Sequence, residues 1–357
     1  MITAQRLQDV AGRYLKENSL EFCQAVVDNF VFSARQHIVR VNTLASFLGR
    51  YYPYHDLDKF DSPFYYLLQY QHSGNKLEDV VSDVGTVTDL IGQAVWRHTL
   101  SRPHHPESWD RSLSLDMYPS KDESRAGFDA RTMNEEALDE CVCDHMALSI
   151  QLHDNLCSIY GWLNSNISAG KGRQWIMTEQ QQNHIFRTTR ILIDKLQDKT
   201  RKVYFDVDGV LRDMIGYFLG TPDDDWDARV DGKNLYEKLE EDFSVLERMP
   251  PMDYVPVVRQ FTDRPDIITA QIEEEAREAT TRWVLKHFRD ANIIFVGNSE
   301  EKNSLLSEND RIFDDHPRFP WSPKLIIAGH GYNVYKHGFR INDICELEAV
   351  LEVLRHW

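Results

Sequence analysis

The chain has 357 residues, a net charge of −17 and 42% hydrophobic residues, which is enough apolar material for two domains with separate cores. The negative charge argues against binding of long nucleic acid, which requires a basic surface that displaces counterions. No apolar run approaches the roughly 20 residues that span a bilayer, and we expect no signal peptide at Met1. Five cysteines fit no zinc knuckle, so a reducing cytoplasm is the expected location.

The first half of the chain carries histidines and aspartates on predicted helices and at their ends. A helical pattern over 20–48 places His37 on the same face as Phe30 and Val41. A third helix is predicted over 134–152. The set also includes His55, Asp56, His98, His104, His105 and Asp144. Imidazole combined with carboxylate is a ligand set suited to Zn, Fe, Mn, Ni or Co. Because a lone histidine on an apolar face is usually a core residue, the prediction of a metal site depends on the whole set.

The order of these residues resembles the HD superfamily of metal-dependent phosphohydrolases. A closer resemblance is to an uncharacterised HD-like family that shares two sequences, Trp96-Arg97-His98 and His104-His105-Pro106-Glu107-Ser108-Trp109. The resemblance implies an all-α metal-binding domain over 1–165. It further implies that one metal is held by His37, His55, Asp56 and Asp144. A second metal would be held by His98 with His104 or His105, bridged by Asp56, and the remaining histidine or Glu107 would be an outer or catalytic residue.

Such a centre would supply hydroxide near neutral pH for attack on a phosphate ester. Two alternatives remain: a diiron site for oxygenation, and a module that binds a nucleotide as a sensor without turning it over. A helical domain with polar core networks and no metal is the simplest competing interpretation.

A composition rich in Ser, Asn and Gly predicts a linker over 164–176, and a helix is predicted over 178–197. We therefore assign 166–200 to a linker and connecting helix, and 201–357 to a second domain.

Apolar runs that end in polar residues characterise this second domain. Residues 203–205 precede Asp206 and Asp208, and a strand predicted over 256–261 precedes Thr262. A helix follows over 269–288, then a strand over 291–297 and a polar loop with Lys302. Further strands are predicted over 311–314, ending in Asp314 and Asp315, and over 324–329. Strands that alternate with helices predict a parallel, doubly wound sheet whose carboxyl ends share one crevice.

This order of motifs, Asp206-Val207-Asp208-Gly209-Val210, then Thr262, Lys302 and Asp314-Asp315, resembles the haloacid dehalogenase superfamily of phosphatases. The closest likeness is to the 5'(3')-deoxyribonucleotidases. The resemblance implies a Rossmann-like α/β fold with a small helical cap over 212–258. It implies Asp206 as nucleophile, Asp208 as general acid and then base, and Thr262 and Lys302 as ligands of the phosphoryl oxygens. Mg²⁺ would be held by Asp206, the Asp208 carbonyl and Asp314 or Asp315.

The sequence therefore predicts a two-domain cytoplasmic metallohydrolase that dephosphorylates a small phosphate monoester. A (deoxy)nucleoside 5'-monophosphate is the leading substrate, and Phe218, Trp226 and Tyr236 of the cap are candidates for stacking on its base. The HD-like domain would be a second phosphohydrolase site. The main alternative is a regulatory protein in which one domain senses a nucleotide.

Overall fold

The computed structural model describes residues 1–116, 127–167, 175–220 and 227–355. The chain divides into two compact units: Met1–Ala45 with Tyr52–Ile193, and Ser46–Tyr51 with Asp194–Trp357. The division at Ile193 falls inside the helix predicted over 178–197. It does not fall in the stretch 164–176 with linker composition, of which residues 168–174 lie outside the described residues.

The first unit is built mainly from helices. In chain order they are α1 (Ala4–Ala11), α2 (Leu20–Ser46), α3 (Pro63–His72), α4 (Leu77–Val80), α5 (Val84–Ser101), α6 (Glu135–His153), α7 (Ser158–Ile167) and α8 (Glu179–Leu196). Two short strands, β1 (Phe128–Asp129) and β2 (Trp175–Ile176), pair in parallel. The helices predicted over 20–48, 134–152 and 178–197 are confirmed. The unit is not purely α-helical, because it contains this pair of strands.

Local sequence features fix the two helices that later supply site residues. Val26 and Phe30 of α2 are buried in a core shared with α1, α3 and α5, and Phe30 stacks on Tyr66 with ring centroids 4.1 Å apart. The α6 helix begins after Asn134, whose side chain accepts a hydrogen bond from the backbone N–H of Ala137. This cap satisfies one of the free amides of the first turn and so sets where the helix starts.

The second unit contains strands β3 (Val203–Phe205), β4 (Arg229–Val230), β5 (Lys233–Asn234), β6 (Asp266–Ala270), β7 (Asn292–Val296), β8 (Arg311–Asp314), β9 (Leu325–Ala328) and β10 (Phe339–Ile341). Its helices are α9 (Met214–Leu219), α10 (Leu235–Leu239), α11 (Tyr254–Phe261), α12 (Glu274–His287), α13 (Ser299–Leu305) and α14 (Ile344–Leu354). Six of these strands form one parallel sheet in the order β10-β9-β8-β3-β6-β7, and β4 pairs with β5 in a separate hairpin. The predicted parallel sheet is confirmed.

The strand order reverses between β3 and β8. From β3 the chain adds β6 and β7 on one side and then β8, β9 and β10 on the other. In open α/β sheets, ligands bind outside the carboxyl ends of the strands at such a switch point. Phe205 of β3 pairs with Phe313 of β8, so the residues that follow them, Asp206 and Asp314, lie side by side at this point.

Three local predictions in this unit are wrong. Residues 256–261 belong to α11 and form no strand. Val255, Val257 and Val258 are buried in this helix, and Pro256 is tolerated because it lies in the first turn. Residues 269 and 270 end β6, and the helix predicted to start there starts at Glu274. Lys302 lies on α13 rather than in a loop.

The insertion predicted over 212–258 as a cap contains α9, the β4–β5 hairpin and α10. Its apolar side chains Met214, Leu239 and Leu246 form a small core with Ala276 and Ala279 of α12. The insertion is therefore held against the sheet domain by its own core. Within the described parts of both units, no helix combines the length and the apolar character needed to cross a membrane.

Candidate functional site

Acidic residues and a lysine meet at the switch point of the second unit. Asp206 follows β3, Asp314 ends β8, and Lys302 lies on α13. The Lys302 Nζ atom lies 2.6 Å from Asp206 Oδ2 and 2.7 Å from Asp314 Oδ2. All three side chains are buried, so the ammonium offsets two carboxylate charges that have little contact with water.

Asp315 completes a group of three carboxylates. One oxygen from each of Asp206, Asp314 and Asp315 lies within 4.8 Å of the others. Burial, together with the charge of Asp314, raises the pKa of Asp206 to about 7 and that of Asp315 well above its usual range. Tyr332 donates a hydrogen bond from its hydroxyl to Asp315. One ammonium cannot balance the charge of three buried carboxylates, so the group would be stabilised by a further cation. A set of ligands made only of oxygen atoms is the kind that Mg²⁺ prefers.

The carboxylate of Asp208 is held in a fixed direction. Arg212 donates from Nε to Asp208 Oδ1 at 2.7 Å and from Nη2 to Oδ2 at 3.0 Å, and Gln271 donates to Oδ2 at 3.0 Å. Arg212 is fully buried and also donates to Thr280 Oγ1 at 3.1 Å. The order of motifs does not indicate Arg212 or Gln271, although Arg212 lies only four residues after Asp208.

Thr262 lies away from this group. It follows α11 and precedes β6, whose first residue, Asp266, pairs with Tyr204 of β3. Thr262 is therefore at the amino edge of the sheet, opposite to the edge that carries Asp206. Its predicted role as a ligand of the phosphoryl group is wrong, because the segment 256–261 before it is a helix. The carboxyl end of β6 leads instead to Gln271.

A cavity of about 600 Å³ lies at the same edge of the sheet. Gln271, which contacts Asp208, is part of its wall, as are Asn298 after β7 and His316 after β8. The insertion contributes Tyr236 and Phe243. Phe218, which was a candidate for stacking, packs instead against the small core of the insertion, and Trp226 lies outside the described residues.

The first unit brings together seven of the predicted ligand residues in two adjoining groups. The first group is His37, His55, Asp56 and Asp144, and the second is Asp56, His98, His104 and His105. Within each group, one ligand-type atom of every member lies within 4.8 Å of those of the others. Asp56 belongs to both groups and has a left-handed backbone with φ of 56°, a conformation that aspartate adopts more readily than most residues. Glu107, which follows His104 and His105 in the sequence, is also buried but belongs to neither group.

The imidazole Nε2 atoms of this cluster point inward. His98 Nε2 lies 3.1 Å from Asp56 Oδ1, and His37 Nε2 lies 2.9 Å from Asp144 Oδ1. Two pairs of Nε2 atoms also face each other, at 3.0 Å between His98 and His105 and at 3.4 Å between His37 and His55. Inward-facing imidazole nitrogens around a shared carboxylate are an arrangement that can bind a transition-metal ion.

The outer nitrogens of three rings contact carboxylates that sequence reasoning missed. His55 Nδ1 lies 2.9 Å and His104 Nδ1 lies 3.2 Å from Glu140 Oε1. His98 Nδ1 lies 2.9 Å from Asp58 Oδ2. Such contacts fix the tautomer and direction of a metal-binding histidine. The available signal was the position of Glu140 one helical turn before Asp144.

Charge at the cluster is set by burial and by near neighbours. Burial, aided by His104 and His98, holds the pKa of His105 well below its usual range, which favours the neutral ring with a lone pair. Lys59 Nζ lies 2.5 Å from Asp56 Oδ2; despite burial, Lys59 and His55 hold the pKa of Asp56 well below its usual range. Lys59 is a further residue that the sequence motifs did not indicate.

Comparison with known proteins gives one family match. The model of a family of unknown function, DUF5662, matches residues 27–203. The matched segment contains every member of both histidine-rich groups and ends before Asp206. No curated protein and no solved structure matches the chain.

Proposed function

We propose that the second unit is a Mg²⁺-dependent phosphatase that acts on small phosphate monoesters. The observation that carries the proposal is the convergence of Asp206, Lys302 and Asp314 at the switch point of the sheet. A buried carboxylate beside a buried ammonium can attack phosphorus while the ammonium offsets charge on the phosphoryl oxygens. The resemblance of the motifs to haloacid dehalogenase phosphatases supports the same reading.

In this mechanism an Asp206 oxygen forms a bond to phosphorus as the bond to the leaving oxygen breaks. Asp208 gives a proton to that leaving oxygen and later takes one from the water that cleaves the aspartyl phosphate. Arg212 and Gln271 keep the Asp208 carboxylate in one direction during both steps. Mg²⁺ held by the Asp206, Asp314 and Asp315 carboxylates would neutralise phosphoryl charge.

The cavity supports a leaving group larger than a simple alcohol. Its volume of about 600 Å³ exceeds what a phosphate alone requires, and Tyr236 and Phe243 give it aromatic surface. A nucleoside fits these features, so a (deoxy)nucleoside 5'-monophosphate remains the leading substrate.

The test is phosphate release from a panel of nucleoside monophosphates and sugar phosphates by the full chain with Mg²⁺. Asp206→Asn should abolish release and leave the fold intact. Asp266→Asn is a matched control, because Asp266 lies at the amino end of β6, at the opposite edge of the sheet. Turnover by Asp206→Asn at the wild-type rate, or a wild-type chain that hydrolyses no monoester on the panel, would contradict the proposal.

We further propose that the first unit holds one or two transition-metal ions and is a second phosphohydrolase centre. The specific observation is that His104 Nε2 is buried without a hydrogen-bond partner, while the Nε2 atoms of His98 and His105 face each other at 3.0 Å. A cation among these atoms would satisfy them all. Zn, Fe, Mn, Ni and Co suit the ligand set, and such an ion supplies hydroxide near neutral pH. Lys59 could then anchor an anionic substrate beside Asp56.

Elemental analysis of protein purified without chelator tests this second proposal. The wild type should carry one to two equivalents of transition metal, and a variant with both His55→Ala and Asp56→Ala should lose it. A folded, metal-free wild-type chain from metal-replete medium would refute the metal centre.

A further inference from the structure

Glu140 contacts one histidine from each of the two metal-ligand groups. Its Oε1 atom lies 2.9 Å from the Nδ1 of His55, a member of the first group, and 3.2 Å from the Nδ1 of His104, a member of the second. The Glu140 side chain is 14% exposed and the two histidine side chains are almost fully buried. Little water is therefore available to replace the carboxylate as their partner.

Asp58 provides a contrast within the same cluster. Its carboxylate contacts His98 Nδ1 at 2.9 Å and the Arg102 Nε at 2.6 Å. His98 belongs to the second group alone. The two outer carboxylates therefore differ in the number of groups that they contact: Glu140 contacts both groups and Asp58 contacts one.

A carboxylate on the outer nitrogen of a metal-binding imidazole orients the ring, selects the tautomer that presents Nε2, and raises the basicity of Nε2. Loss of such a partner typically lowers metal affinity about 10- to 100-fold. Because a single Glu140 oxygen serves both rings, its loss disturbs one ligand of each group at once. Glu140 is also one helical turn from the ligand Asp144 on α6, so the helix fixes their spacing.

We infer that the first unit holds two metal ions and that Glu140 is a positioning residue for a ligand of each, so that its loss weakens the binding of both. The inference rests on the proposed metal centre of the first unit. His55, His104 and Glu140 also form a third set of ligand-type atoms within 4.8 Å of one another. Because the contacts of Glu140 are with the outer Nδ1 atoms, the inference gives it no bond to metal or substrate. Its action is on the direction of His55 and His104, one in each group.

The experiment is a competition titration of the chelator-stripped full chain with Zn²⁺ against a chromophoric chelator. Excess Mg²⁺ is present, so that the carboxylate-only group of the second unit does not contribute. Glu140→Ala should weaken both equivalents of Zn²⁺ by about 10- to 100-fold. Glu140→Gln, which retains a neutral acceptor oxygen, should restore part of the loss at both. Asp58→Asn should weaken one equivalent and leave the other within about twofold.

Far-ultraviolet circular dichroism and thermal melting of each variant verify the fold. If Glu140→Ala does not fold, the contrast between Glu140→Gln and Asp58→Asn decides the question. Wild type that binds no Zn²⁺ would overturn the metal centre itself, and wild type that binds only one equivalent would overturn the inference. Wild type that binds two equivalents while the Glu140 variants weaken only one, or neither, would overturn the inference and leave the centre intact. Selective loss of a third equivalent would make Glu140 a ligand and would also overturn it.

Discussion

The buried contact of Lys302 with two carboxylates leads to a quantitative prediction. Lys302→Met removes the ammonium and keeps a chain of similar length, which leaves Asp206 and Asp314 facing each other without a cation. The three side chains are 2%, 8% and 0% exposed. At an effective dielectric constant near 20, each contact of about 2.6 Å is worth about 6 kcal/mol before desolvation. Removal of one partner from such a buried cluster typically costs about 3–5 kcal/mol, and we expect that loss in the second unit.

Hydrogen exchange with mass spectrometry measures this loss locally, through peptides that contain β3 and β8. The matched control is Lys233→Met, which removes an ammonium from an ion pair of 2.5 Å with Glu241 whose side chains are 50% and 43% exposed. That pair should contribute little to stability, because water and salt screen exposed charges. Added Mg²⁺ should restore part of the stability lost in Lys302→Met and should not change the control.

Equal losses in the two lysine variants would refute the reasoning, since a buried and an exposed ion pair would then have the same value. A loss of 3 kcal/mol or more that Mg²⁺ does not relieve would show that the three carboxylates do not form a cation site.

Three further predictions concern proton transfer, pH and the independence of the two centres. Arg212→Lys keeps the charge but loses the bidentate contact with Asp208. Hydrolysis of alkyl phosphates, whose leaving group needs a proton, should therefore fall at least tenfold more than hydrolysis of p-nitrophenyl phosphate. Equal losses would contradict the role of Asp208 in proton transfer. The pKa of Asp206 is raised from 3.8 to about 7, so the folded chain holds a proton that the unfolded chain releases. Without metal, this group should therefore make the second unit more stable near pH 5 than near pH 8, as measured by thermal melting in chelator. If the two centres are independent, Asp206→Asn should leave the transition-metal content unchanged in elemental analysis. Asp56→Ala should likewise leave monoester hydrolysis within a few-fold of wild type. A large loss of hydrolysis in a folded Asp56→Ala variant would indicate that the two centres are coupled.

The sequence patterns predicted the long helices because their period extends over many residues, and they predicted the buried strands because each apolar run is bounded by polar residues. The α2 helix and the strands β7, β8 and β9 lie within a few residues of their predicted bounds. Short apolar runs were less informative. The apolar run 256–261, which contains Val257 and Val258, favoured a strand, and only the tertiary packing that buries these valines in a helix distinguishes the two structures. Because of this error, Thr262 was predicted at the carboxyl edge of the sheet, whereas it lies at the amino edge.

Ligand-type residues were easier to predict than the residues that orient them. His55 and Asp206 belong to ordered motifs of uncommon residue types, whereas Glu140 and Arg212 are common charged residues that belong to no such motif. What distinguishes them is the direction of the side chain, which depends on the packing of neighbouring elements. Arg212 lies four residues after Asp208, and Glu140 lies four residues before Asp144.

Spacing of four residues is informative on a helix, where it places two side chains on the same face, and Glu140 satisfies that condition. Arg212 does not, because it reaches Asp208 through a tight turn in which Gly209 has φ of +75°. A Cβ atom on Gly209 would lie 2.0 Å from Asp315 Oδ2, so the turn requires glycine both for its backbone and for its space. The glycine of the motif thus has a physical role: it brings the fixed Asp208 and the carboxylate group of Asp206 and Asp315 into one site.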